Sequence, residues 1–207
     1  MEEMYKKRSL KTEEVLFAML PKQFIDMFQK KLCENKSSYW QTISELRAAV
    51  IFNKLGISIE GVDHKTINNK DVDFLAVYNN EKIYVEVKGF IPENYDIAKK
   101  GGTMDDGEGK IRRALDRATP KFFDTACNIL IIADEDTIKP SLFMNPLVDF
   151  KRIPEVYLNV FPKVSAIIIL GGLYEEQLLK FEIWLNANPQ KVLPQDVIDI
   201  FNQGKSK

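Results

Sequence analysis

Two carboxylates and an ammonium lie within a short stretch of the chain. Asp73 stands in Asp71-Val72-Asp73-Phe74-Leu75, and Glu86 and Lys88 stand in Val85-Glu86-Val87-Lys88-Gly89. Between them Asn79-Asn80 separates two strand-like runs, and Asn tolerates the positive φ that a two-residue hairpin turn needs. A turn there sets Tyr78 against Glu81, and the same register sets Asp73 against Glu86. Directly opposed residues share a face, with Cβ atoms about 4.5–5.5 Å apart. Lys88, two residues beyond Glu86, shares that face too. Phe74, Ala76, Ile83 and Val85 fall on the other face, which is uniformly apolar. Opposed carboxylates repel, by about 0.2–1 kcal/mol on the scale of cross-strand pairs. A hard divalent cation reverses that sign, since Mg²⁺ is commonly held by one or two carboxylates with water and phosphate oxygens. Lys88 beside them can orient or help deprotonate a water for in-line attack on phosphorus. Asp71 has the same parity and competes for the ligand role, but it stands opposite Lys88, where a plain ion pair suffices. Asp73 is the stronger candidate.

The hairpin needs a scaffold, and the hydrophobic pattern supplies one. Residues 12–33 have helical period, with a break near Pro21. A second helix is predicted over Tyr39–Leu55, with Ile43, Leu46 and Val50 inward and Gly56 in the C′ position. Strands follow at 57–62, 72–78 and 81–88. Residues 89–109 hold five glycines and read as a long loop. Lys110–Thr119 is an amphipathic helix with Ile111, Leu115 and Ala118 on one side. Asn128–Ala133 and Ser165–Leu170 are β-branched runs suited to strands buried on both faces. Glu175–Leu185 and Gln195–Asn202 are predicted as closing helices. Three consecutive strands imply antiparallel pairing, and the later strand–connection–strand can be parallel, giving an α/β fold with a mixed sheet of about five strands. The chain reads as one domain over 1–207, with an N-terminal helical extension (1–36), a core (39–172) and C-terminal helices (173–207).

On Asp73, Glu86 and Lys88, with a helix ahead of three strands and a helix and strand after them, the chain resembles the PD-(D/E)XK nuclease superfamily over about residues 39–134. An Asp followed within ten to twenty residues by [Asp/Glu]-x-Lys arises by chance in a chain with 29% charged residues. The weight lies in the register, the apolar face and the preceding helix. The resemblance implies a restriction-endonuclease-like three-layer fold and phosphodiester hydrolysis with Mg²⁺, or Mn²⁺ as substitute. It favours endonucleolytic action and favours DNA over RNA. It makes Asp73 and Glu86 metal ligands with the Val87 carbonyl as a third oxygen, Lys88 the catalytic partner, and Glu45 in Ser44-Glu45-Leu46-Arg47 an additional acid on the first core helix. Val72 stands where the motif's name places proline, a position that varies widely. The alternative is a catalytically inactive nuclease-fold module that binds nucleic acid or a protein partner.

Other candidates carry less. Lys110, Arg113, Arg117 and Lys121 form a basic stripe on the helix after the loop, either a phosphate-binding face or a solvated one. Net charge is −1, so any phosphate-binding surface must be local. His64, the one histidine, is expected in a loop after the first strand and has no partnering nucleophile. Phe122 and Phe123 read as core, and Gly101-Gly102 is not followed by the Gly-Lys-[Ser/Thr] of a phosphate loop. Leu178, Phe181 and Trp184 at helical spacing suggest core packing or a homodimer surface. Cys33 and Cys127 give no disulfide framework and read as reduced core residues. No apolar stretch is long enough for a bilayer, and the opening residues carry no export pattern, so a cytoplasmic protein without membrane contact is expected.

Overall fold

The computed structural model describes residues 12–34, 39–66, 70–90, 107–134, 158–170 and 179–204. Helical turns over 12–17 precede α1 (Lys22–Glu34) and α2 (Tyr39–Lys54). Then come β1 (Ser58–Lys65), β2 (Asp71–Tyr78), β3 (Glu81–Phe90) and α3 (Gly107–Ala118), the last continued by a 3-10 turn at Thr119–Lys121. β4 (Cys127–Asp134), β5 (Ala166–Leu170), β6 (Phe181–Leu185) and α4 (Gln195–Gly204) complete the order. The six strands form one mixed sheet in the order β1-β2-β3-β4-β5-β6. β3, β4 and β5 run parallel, and the other neighbours are antiparallel.

Alternation along the strands divides the sheet into two faces. Val85, Val87, Ile129, Ile131, Ala166 and Ile168 point into a core shared with α1, α2 and α4. Leu130, Ile132, Ile167 and Ile169 point the other way, onto Ile111, Leu115 and Ala118 of α3. The result is three layers, with α3 the one α-helix on its side among the described residues, joined there by Leu158 of a 3-10 turn. α2 is covered nearly all round: residues from Thr42 to Phe52 are buried without interruption. That explains why its sequence has no clean polar stripe, since a helix enclosed by other elements needs none. Its cover includes α1, whose Phe24 and Phe28 belong to the main core. α1 is therefore part of the principal packing.

The β2–β3 hairpin has the predicted register. Asn79 and Asn80 both have positive φ, 48° and 65°, as a two-residue turn of this kind requires. Pairing runs from Tyr78–Glu81 to Phe74–Val85. Gly56 takes φ 75° just past α2, in the expected C′ role.

Several expectations are corrected. The Glu175–Leu185 helix does not form over its described part: Phe181–Leu185 is β6, antiparallel to β5. Phe181 and Ile183 are buried while Glu182 is exposed, a period of two that the wider spacing of Leu178, Phe181 and Trp184 obscures. Without β6, the wholly apolar β5 would present a bare sheet edge. Among the described residues the sheet thus has six strands rather than five; of the expected helical stripe, Phe181 is in the core and Leu178 lies outside the described residues. His64 lies within β1, paired with Val72, not in a loop. Cys127 is buried as expected, but Cys33 is exposed. The predicted long loop is shortened at both ends by β3 and α3, and residues 91–106 lie outside the described residues.

α2 lies close against β3 at Gly89. A Cβ there would stand 2.6 Å from Ser44 Oγ and 3.4 Å from Ser44 Cβ. Gly89→Ala is therefore expected to destabilise the fold by about 1–3 kcal/mol, the usual cost of overpacking. Chemical denaturation checks this, and Ser44→Ala in the same chain should restore part of the loss. Wild-type stability in the Gly89→Ala single variant would show that the two elements are not so tightly apposed.

Candidate metal and phosphate site

Pairing between β2 and β3 stops at Phe74–Val85, while β3 continues beside β4 as far as Phe90. Beyond Val85, then, β3 has lost its strand partner on the β2 side. Backbone N–H and C=O groups stranded there still need partners, and side chains supply them. Val87 N–H donates to Asp73 Oδ2 at 2.6 Å. The Val87 carbonyl accepts from Gln41 Nε2 at 2.8 Å, and Gly89 N–H donates to Gln41 Oε1 at 2.9 Å.

Asp73 sits where β2 turns over. Residues two apart on a regular strand share a face, yet Phe74 belongs to the α2-side core and Val72 to the α3-side core. The Asp73 carboxylate accordingly reaches along the sheet to the β3 backbone. The predicted register holds only as far as Phe74–Val85; the expected Asp73–Glu86 pair does not form, and the two do not stand side by side on one face. Glu86, flanked by Val85 and Val87 in the α2-side core, points to the α3 side and is fully buried. Glu45 comes from α2 on the opposite side and is 3% exposed. Asp73 lies between the two layers.

Each outer carboxylate has lysine partners. Glu86 Oε1 is paired with Lys88 Nζ, and Lys121 Nζ is 2.6 Å from the same oxygen. Glu45 Oε2 is 2.6 Å from Lys31 Nζ, which also reaches Asp63 Oδ1 at 2.7 Å. Glu45 Oε1 accepts from Gln41 Nε2 at 3.0 Å. Burial would lower the Lys31 pKa, but Glu45 and Asp63 outweigh it and raise it. Burial raises the Glu45 pKa against the opposing pull of Lys31. Asp73 is pushed well above the ordinary carboxylate value by burial, then by the charges of Glu45 and Glu86; the Val87 N–H and Lys88 offset only part.

This arrangement fits a cation in one respect and limits it in another. Glu86 Oε2 is buried with no hydrogen-bond partner among the described residues, and a buried carboxylate oxygen left bare is costly. The charge of Glu86 adds to the cost of ionising Asp73, a cost that a divalent ion would relieve. Among the described residues, however, no group of three or more His, Cys, Asp or Glu side chains is gathered as a metal cage. The fitting set is two carboxylates and a backbone carbonyl, the minimal kind that Mg²⁺ accepts when water and phosphate complete its shell.

The remaining candidates separate clearly. Lys121 leaves the basic stripe: α3 ends at Ala118, and the 3-10 turn carries Lys121 inward to Glu86. Arg113 and Arg117 stay on the exposed side of α3, and the Lys110 side chain lies outside the described residues. Asp71 is exposed and paired in strand register with Lys65, while Lys88 turns to Glu86. His64 stacks at 5.9 Å from Tyr84, and Tyr84 at 4.6 Å from the half-buried Phe123, whereas Phe122 is core. Sequence reasoning missed Lys31 and Gln41. Gln41 was within reach, because it lies four residues before Glu45 and so on the same face of one helix.

No protein-family model matches the chain, and neither a curated protein nor a solved structure matches it significantly. Among the described residues no helix is long and apolar enough to cross a membrane.

The raised Asp73 pKa has a stability consequence of definite sign. Folded protein keeps this proton at pH values where the unfolded chain, with an Asp pKa of about 3.9, has lost it. The stabilisation from protonated Asp73 is complete below about pH 3.9 and is lost as pH rises toward the folded pKa. In EDTA, Asp73→Asn should therefore unfold at higher temperature than wild type above pH 4. The gap should widen by about 1.4 kcal/mol per pH unit until Asp73 ionises. Melting curves from pH 4 to pH 8 measure it, and a gap that closes as pH rises would contradict the electrostatic account.

Proposed function

We propose that the chain is a divalent-metal-dependent nuclease of restriction-endonuclease-like architecture that hydrolyses phosphodiester bonds, with DNA favoured over RNA. The observation that carries this reading is the fully buried Glu86 with a bare Oε2, set across the β2–β3 opening from Asp73 and flanked by Lys88. A fully buried carboxylate is expensive to maintain as structure alone, and function is the usual reason for retaining one. The helix–three strands–helix–strand order and the three layers agree with the architecture that the motif implies.

In this reading Asp73, Glu86 and the Val87 carbonyl would hold Mg²⁺ or Mn²⁺. The chemistry such an ion supplies is neutralisation of phosphate charge and acidification of water. Lys88 presents its ammonium beside Glu86, where it can hold the attacking water or a phosphate oxygen. Lys121, on the same Glu86 oxygen, adds a second positive charge toward an anionic substrate. Glu45 stands behind Asp73 on the α2 side and adjusts its charge without being required as a direct ligand.

One observation favours the second reading, a nuclease-fold module without catalysis. Two lysines on Glu86 neutralise it without any ion. Incubation of plasmid, linear duplex, single-stranded DNA and RNA with Mg²⁺, Mn²⁺ or EDTA separates the two. Cleavage in metal and none in EDTA is the expected result; binding without turnover would establish the second reading.

Asp73→Ala, Glu86→Ala and Lys88→Ala are each expected to reduce metal-dependent cleavage by about 10²-fold or more, the scale of a lost acid–base or charge-stabilising group. Glu45→Gln should cost less than Asp73→Asn. Full activity in any two of the three alanine variants, with native melting, would put the site elsewhere. If Arg113 and Arg117 touch phosphates, replacing both with Ala should lower the log–log salt slope of binding by about two. An unchanged slope returns them to a solvated helix face.

A further inference from the structure

We propose that Gln41 is a positioning residue of this site: its side-chain amide replaces a β2 residue along the free edge of β3, and so fixes the Val87 carbonyl, the Lys88 backbone and Glu45 relative to one another. The inference rests on the nuclease reading and extends it to a residue outside the Asp-Glu-Lys motif.

The geometry uses every polar feature of the amide. One Nε2 hydrogen goes to the Val87 carbonyl at 2.8 Å, and the other to Glu45 Oε1 at 3.0 Å. Oε1 accepts from Gly89 N–H at 2.9 Å. Only one orientation of the amide satisfies all three contacts, because Val87 O and Glu45 are acceptors and Gly89 N–H is a donor. The spacing on β3 is that of a strand partner: Val87 and Gly89 are two residues apart and present these groups along the same edge. Gln41 thus pairs with β3 as a strand would, but from a helix.

Two consequences follow for the site. First, the residue between the motif's Glu86 and Lys88 is held at both polar groups, its N–H by Asp73 and its C=O by Gln41. A carbonyl oxygen has two lone pairs, so Val87 O can accept from Gln41 and still face a cation or water. Second, Glu45 is aimed by a residue one helical turn away that is itself anchored to β3. Gly89 makes this possible, since a Cβ there would come within 3.4 Å of Gln41 Oε1 and within 2.6 Å of Ser44 Oγ. A shift of the Val87–Gly89 segment by about 1 Å would displace Lys88, and misplacements of that size cost roughly 10²-fold in rate.

A purely structural Gln41 would tie α2 to β3 and affect stability alone. Two substitutions separate the possibilities. Gln41→Met preserves length and removes all three bonds. Gln41→Glu preserves shape and the acceptor for Gly89 N–H, but loses both donors and places a carboxylate against Val87 O and Glu45. Amide hydrogen exchange on the metal-free protein tests the geometry, and steady-state cleavage tests the role. In Gln41→Met, Gly89 N–H should exchange at least about tenfold faster, while Val87 N–H, held by Asp73, changes little. In Gln41→Glu, Gly89 should stay protected. Both variants should lose about 10- to 100-fold in kcat with KM within about threefold. Wild-type kcat in both variants would overturn the proposal, as would failure of both to fold, which would make Gln41 structural. Absence of cleavage by wild type itself would remove the nuclease reading and this inference together, and is recognised before any variant is made.

Discussion

The site depends on one constraint: β3 continues after β2 has left it. As far as Phe74–Val85 the two strands satisfy each other, and past that point β3 leans on β4 alone. The backbone groups of Val87 and Gly89 on the open side must be paired, and the available partners are Asp73 and Gln41. A strand edge completed by side chains instead of a strand brings polar atoms to one place. It also opens a gap in the sheet where atoms from both faces can meet. Gly89 admits α2 to that gap, and the 3-10 turn after α3 brings Lys121 to it from the other side.

Three carboxylates bear on that place, Asp73 of β2 and Glu86 of β3 in the sheet and Glu45 from the α2 layer, and Asp73 feels the charge of the other two. Three lysines, Lys31, Lys88 and Lys121, offset the outer two. Among the described residues Asp73 has the Val87 N–H, not a lysine, as its hydrogen-bond partner. The charge is therefore best balanced at the rim and least balanced in the middle, where Asp73 is pushed toward its protonated form. Fully buried charge pairs rarely add net stability over apolar replacements. We take a cluster of this kind, where the β2–β3 ladder ends and beside a bare Glu86 oxygen, as support for the proposed binding of a cation and an anionic substrate.

Much of this was legible in the sequence because it depends on short-range rules. The Asn79-Asn80 turn sets the hairpin register, and the near-continuous β-branched runs at 128–133 and 165–170 identify strands buried on both faces. The turnover of β2 at Asp73 was not legible, because strict alternation assumes a regular strand. Spacing alone places Lys121 on a helical stripe, and only the helix end at Ala118, followed by Pro120 in a tighter turn, redirects it. β6 was lost because Leu178, Phe181 and Trp184 match a helix as well as Phe181 and Ile183 match a strand. The choice was made by the exposed edge of β5, a tertiary requirement that no local window contains.

The central claim is that Asp73 and Glu86 form a seat for a divalent ion, and titration of EDTA-stripped protein with Mn²⁺, followed by the loss of the free-ion electron-spin-resonance signal, tests it without any substrate. Wild type should take up Mn²⁺, and at a hundred times its dissociation constant the ion should stabilise the fold by about 2.7 kcal/mol through mass action. Glu86→Gln, which keeps the shape and removes the charge, should bind at least about tenfold more weakly. No uptake by wild type at millimolar Mn²⁺, or equal uptake by Glu86→Gln, would contradict the account.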